Sequence, residues 1–72
     1  MNLLDANLGT EYKIENVTTG DAELESFLFS LGCYGGEKIT VISRTKSNCV
    51  VSIKDARYSI DSRLASAITI KN

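Results

Sequence analysis

The spacing of apolar side chains along the chain changes period twice. In the stretch Glu11–Val17, Tyr12 and Ile14 alternate with Glu11, Lys13 and Glu15. A repeat of two predicts a strand with one buried face, and Gly9 marks the turn before it. From Asp21 to Leu31 the repeat lengthens. Leu24, Phe27, Leu28 and Leu31 fall at i, i+3, i+4 and i+7, along one side of a helix. Asp21 is a suitable N-cap, and Glu23 and Glu25 lie near the positive end of the helix dipole. Gly32 stands where a helix ends in the left-handed conformation. The pattern therefore predicts a helix over 21–31 that buries all four stripe residues, with Phe29 pointing away from them.

After Glu37 the repeat returns to two. Ile39 and Val41 are expected to face inward, with Lys38, Thr40 and Arg44 outward. Cys49, Val51 and Ile53 share a second inward face, Tyr58 and Ile60 a third, and Ile68 and Ile70 a last one. Arg44 to Asn48 ("RTKSN") is polar and predicts a hairpin loop, Asp55-Ala56 a tight turn, and "DSRLAS" a short helical turn. The order is a long strand, a helix, three meandering strands, a helical turn and a final strand. So many short strands in 72 residues predict a mainly β chain, a small barrel of five or six strands forming one domain over 1–72.

Composition narrows the function. The net charge of −1 argues against a nucleic-acid partner, which a basic face would meet. The charge is divided, however: residues 1–37 carry seven acids and one base (−6), and residues 38–72 seven bases and two acids (+5). Either two oppositely charged faces attract each other, or a basic hairpin steers toward an acidic partner or a membrane surface. No stretch approaches the ~20 apolar residues of a membrane span, and the start lacks the pattern of a signal peptide. A cytoplasmic protein with reduced thiols is expected.

The glycines of "LGCYGGEKITVI" (Leu31–Ile42) raise the possibility of a phosphate-binding loop. Such loops follow a strand and open a helix; these follow a helix and precede a strand, and no Gly-Lys-Ser/Thr occurs. The structural alternative is a corner: Gly32 ends the helix, and Gly35-Gly36 turns the chain.

Leu31-Gly32, three residues, then Gly36-Glu37 and alternating strand residues resemble the "LG…G(E/D/T)" signature of FeoA-type proteins. The closing "LASAITIKN" is similar to that family's ending, with Ala65, Ile68 and Ile70 in the matching places. The resemblance covers nearly the whole chain. It implies an SH3-like barrel and a small cytoplasmic component of a bacterial ferrous iron transport system. Such a component acts by contact with the cytoplasmic region of the membrane GTPase FeoB, and self-association is a further option. Similar domains end iron-dependent repressors, so a stand-alone regulatory domain is an alternative, as is a generic SH3-like peptide binder. The peptide binder is disfavoured by the absence of tryptophan and a total of five aromatic residues. Two positions depart from the family pattern: Phe27 stands where arginine is common, and Gly35 where proline is. Without proline the corner is expected to be more flexible.

Iron transport raises the question of metal ligands. Ferrous iron accepts imidazole, carboxylate or thiolate. This chain has no histidine, and its thiols, Cys33 and Cys49, lie sixteen residues apart. Cys49 falls on an inward face, whereas Cys33 lies in the glycine corner, where exposure is one option; with no base or cation beside it in sequence, nothing marks it as a reactive thiol. Asp21, Glu23 and Glu25 are explained by capping. No metal site, no cofactor and no catalytic set are expected. Contact must then do the work, and the candidate surface is Phe29 and Tyr34, with Gly35 and Gly36 letting the corner adapt and Lys38 adding charge. The competing expectation is that the barrel covers the helix on more than one side and buries Phe29.

Overall fold

The computed structural model describes residues 1–71. After a 3₁₀ turn at Leu3–Asp5 come β1 (Glu11–Val17), α1 (Ala22–Ser30), β2 (Lys38–Arg44), β3 (Asn48–Ile53), β4 (Ala56–Asp61), α2 (Ser62–Ser66) and β5 (Ile68–Lys71). The strands form one antiparallel sheet in the order β4-β3-β2-β1-β5. No ladder joins β4 to β5 among the described residues, so the expected barrel is an open, curled sheet with two edges. Bulges interrupt β1 after Ile14 and β2 after Val41, and bulges bend the strands that carry them.

One face of the sheet supplies the core. Tyr12, Ile14, Ile39, Val41, Cys49, Val51, Ile53, Ile60, Ile68 and Ile70 are all buried, as the alternation predicts. The β3–β4 turn lies one residue earlier than expected. Ile53 pairs with Ala56 across Lys54-Asp55, both with positive φ (50° and 67°). A two-residue loop of that conformation matches the right-handed twist of the flanking strands.

The start of the chain carries a turn that the alternation does not reveal. The Asn2 side chain accepts from the Leu4 N–H at 2.8 Å, and Asp5 Oδ2 accepts from the Asn2 N–H at 3.1 Å. This capped turn buries Leu3 and Ala6. Arg44, expected to point outward, spans back to it: Nη1 donates to the Ala6 carbonyl at 2.8 Å.

Helix α1 has the predicted caps. Asp21 Oδ1 accepts from the Glu23 and Leu24 N–H groups at 2.9 and 3.3 Å. At the other end Cys33 N–H donates to the Leu28 carbonyl and Gly32 N–H to that of Phe29, each at 3.0 Å, with Gly32 at φ +94°. This is the Schellman arrangement, which turns the chain sharply and brings the side chain after the glycine against the last turn. Burial of the stripe is narrower than expected. Leu28 is 1% exposed and Leu31 partly buried, but Leu24 and Phe27 are 40% and 48% exposed. The helix docks through its C-terminal turn, so the stripe residues one turn earlier reach past the core. Leu28→Ala is expected to cost about 2–5 kcal/mol, and Leu24→Ala about 1 kcal/mol or less. Thermal denaturation checks this: the first melting temperature should fall by at least ~8 °C and the second by much less.

Candidate functional site

The corner after α1 is fixed by its backbone. Glu37 N–H donates to the Tyr34 carbonyl at 3.1 Å, closing a four-residue turn with Gly36 at φ +95°. That conformation at the third position is where glycine is favoured. Gly36 N–H donates to the Ile14 carbonyl at 2.9 Å, and Ile14 N–H to the Glu37 carbonyl at 2.8 Å. The corner thus lies flat on β1 at its bulge. A Cβ on Gly35 would sit 2.8 Å from the Glu15 carbonyl oxygen, closer than side chains tolerate. Gly35 therefore serves close approach, and the corner, lacking proline, is held to β1 by backbone hydrogen bonds.

Phe29 lies outside the core, 62% exposed, and rests on Tyr34 with ring centroids 4.8 Å apart and planes tilted by 35°. Aromatic pairs at such spacing are attractive beyond their buried area. Lys54 completes the group: Nζ donates to the Tyr34 hydroxyl at 2.7 Å, lies 5.1 Å from the ring centroid and stands 3.5 Å from Glu37. The Tyr34 hydrogen bond, with help from Glu37, raises the lysine pKa and keeps it charged. A shallow groove of about 430 Å³ runs beside these residues, with Leu31, Ala56 and Tyr58 on its floor and walls.

Of the five candidate residues, Phe29 and Tyr34 meet, while Gly35 and Gly36 shape the corner behind them. Lys38 does not join the groove. It pairs with Glu11 at 3.8 Å and lines an adjoining hollow with Gly36 and Glu37, to which Lys54 also contributes. The cation beside the aromatic pair is Lys54, which the sequence does not single out. Its position depends on the β3–β4 turn arriving opposite the corner, a matter of tertiary structure. Both ion pairs join an acid of residues 1–37 to a base of residues 38–72, which favours mutual attraction as the reading of the divided charge. Each is exposed enough to stabilise little. A larger hollow of about 500 Å³, at the other end of α1, sets Leu24 and Leu64 among Thr18, Asp61 and Arg63 and contains no aromatic side chain.

Exposure of the corner thiol does not hold. Cys33 is 2% exposed, not a surface residue, because the Schellman turn folds it against Leu28. Burial pushes its pKa from 9.0 to about 11. Cys49 is also buried and shifted upward by burial, with Arg44 opposing the shift. Glu25 caps the loop before the helix, Oε2 accepting from the Thr19 N–H at 2.9 Å. Among the described residues no three Cys, Asp or Glu side chains converge as metal ligands, and no helix is long and apolar enough to cross a membrane. The raised pKa has a consequence for stability. Above pH 9.0 the unfolded chain releases the Cys33 proton while the folded chain holds it to about 11. Stability from this group is thus present below pH 9.0 and declines between 9.0 and about 11. Denaturant titrations across that range should show a steeper loss in the wild type than in Cys33→Ala.

The fold has clear relatives. An iron uptake regulatory protein (FeoA) superimposes with a TM-score of 0.87 at 22% identity, covering 99% of this chain and 95% of that one. FeoA from Stenotrophomonas maltophilia, determined with zinc and described as an SH3 domain protein, gives 0.86 at 20% identity, covering 99% and 89%. A manganese-dependent transcriptional repressor gives 0.88 at 19% identity, covering 97% of this chain but 40% of the repressor. The fold is therefore SH3-like. Comparison with curated protein sequences finds no match. The FeoA domain family matches residues 1–72, and the chain belongs to that family.

Proposed function

We propose that this FeoA domain serves ferrous iron transport by contact. It docks the Phe29–Tyr34 surface on the cytoplasmic region of the membrane GTPase transporter FeoB. The observation that carries this reading is the aromatic pair itself. Among the described residues fifteen apolar side chains are buried, yet a phenylalanine is left 62% exposed, against a tyrosine and above a groove. Folding gains little from that ring in water, whereas a partner that covers it gains an anchor of the kind that concentrates binding energy. Lys54 beside the rings favours an acidic contact. The relative from S. maltophilia is described as possibly acting as a ferrous iron transport activating factor, in line with a role through contact rather than catalysis.

Calorimetry with the purified cytoplasmic region of FeoB tests the reading. The wild type is expected to bind, and Phe29→Ser to bind at least about fivefold more weakly, a loss of more than about 1 kcal/mol. Its melting temperature should stay near that of the wild type, since the ring lies outside the core. Unchanged affinity in the variant would move the contact elsewhere on the surface, and no binding by the wild type would remove FeoB as the partner.

A further inference from the structure

Helix α1 spends its polar groups on itself. Asp21 caps the first turn, and Glu25 Oε2 accepts from the N–H groups of Thr19 and Gly20 at 2.9 and 3.3 Å. At the other end the N–H groups of Gly32 and Cys33 return to the carbonyls of Phe29 and Leu28. Among the described residues no hydrogen bond and no ion pair joins residues 19–33 to the rest of the chain. The tethers lie just outside that segment. Thr18 N–H donates to the Ala67 carbonyl at 3.0 Å, and Lys54 Nζ to the Tyr34 hydroxyl at 2.7 Å. The N-terminal turn is held differently: Arg44 bonds Ala6, Gly9 N–H bonds the Val41 carbonyl, and Ile70 N–H bonds that of Met1.

Apolar packing alone therefore holds α1 down, and there is little of it. Leu28 and Cys33 are buried and Leu31 partly so, while Leu24, Phe27 and Phe29 stay exposed. A helix of nine residues is marginal in water without docking. Segments with few buried apolar contacts are the ones that open ahead of the whole. Gly20 and Gly32, both at positive φ (78° and 94°), bracket the helix. We infer that residues 19–32 open from the sheet as one unit, without global unfolding, and that this opening switches off the contact surface by taking Phe29 away from Tyr34. The second half rests on the reading of that surface as the transporter contact; the first does not.

The two thiols report the two events separately. Opening strips Leu28 from Cys33, whereas Cys49, fully buried in β3, stays covered until the sheet itself comes apart. Native-state labelling of the free wild type with iodoacetamide, read peptide by peptide by mass spectrometry, tests this. Each initial rate is divided by that of the same thiol in the denatured chain. Cys33 is expected to react at least about tenfold faster than Cys49, with a shallower dependence on urea, because less surface is exposed in its opening. Ile70→Val, in β5, lowers the stability of the sheet and should speed Cys49 several-fold while leaving Cys33 unchanged. Equal rates for the two thiols with one urea slope, or a Cys33 rate that follows Cys49 in Ile70→Val, overturn the opening. Saturating cytoplasmic region of FeoB should slow Cys33 at least about fivefold, since a ligand of the closed form opposes opening. If that region binds by calorimetry and the Cys33 rate does not change, the switching is overturned and the opening stands. If it does not bind, the contact reading falls and the switching with it, while the two thiols still decide the opening.

Discussion

Two backbone hydrogen bonds around Ile14 tie the aromatic surface to the sheet. Ile14 is buried in β1, and its N–H and C=O both bond to the corner that follows α1. β1 pairs with β2 only through Glu11–Lys13, and beyond that point the corner takes the place of a partner strand. The bulge after Ile14 turns the Glu15 carbonyl toward Gly35, where a side chain would not fit. From this clamp the rest follows in order. Tyr34 is held at the rim, the Schellman turn places Leu28 and Cys33 in the core, and Phe29 emerges from the last turn of α1 onto the tyrosine.

The helix therefore packs through one turn only. It gives the core one fully buried side chain, Leu28, and leaves Leu24, Phe27 and Phe29 substantially exposed. The sheet and the capped N-terminal turn build a core of small and medium aliphatic side chains with one tyrosine, whose hydroxyl accepts the Asn7 N–H at 3.0 Å. A core so filled does not need the phenylalanines. They stay at the surface, where Lys54, tethered between Tyr34 and Glu37, adds a positive charge beside Phe29.

The sequence makes the local features legible because local chemistry decides them. Asp21 and Gly32 mark the helix ends, alternation marks the strands, and Ile68 and Ile70 face inward as the pattern requires. Features set by docking are not legible. A stripe of four apolar residues says which side of a helix is apolar, but not how much of its length meets the sheet. Exposure was an option for Cys33 because a glycine corner suggests surface, whereas the Schellman geometry pulls the residue after the glycine inward. The turn at Leu3–Asp5 is too short for periodicity, and only the spacing of Asn2 and Asp5, a capping box, signals it. Of the candidate surface, Phe29 and Tyr34 were legible by exclusion from the stripe and by nearness in sequence. Lys54 was not, because its position depends on the β3–β4 turn meeting the corner after α1.

The central claim is that the corner is a rigid part of the sheet and not an adaptable loop, and amide hydrogen exchange tests it most directly. The Gly36 and Ile14 N–H groups, both donors in the clamp, should exchange as slowly as core amides such as that of Val51, opening only with global unfolding. Exchange of the Gly36 amide as fast as those of the exposed Thr45–Ser47 loop would contradict the account, because Tyr34 and Phe29 would then rest on a mobile corner.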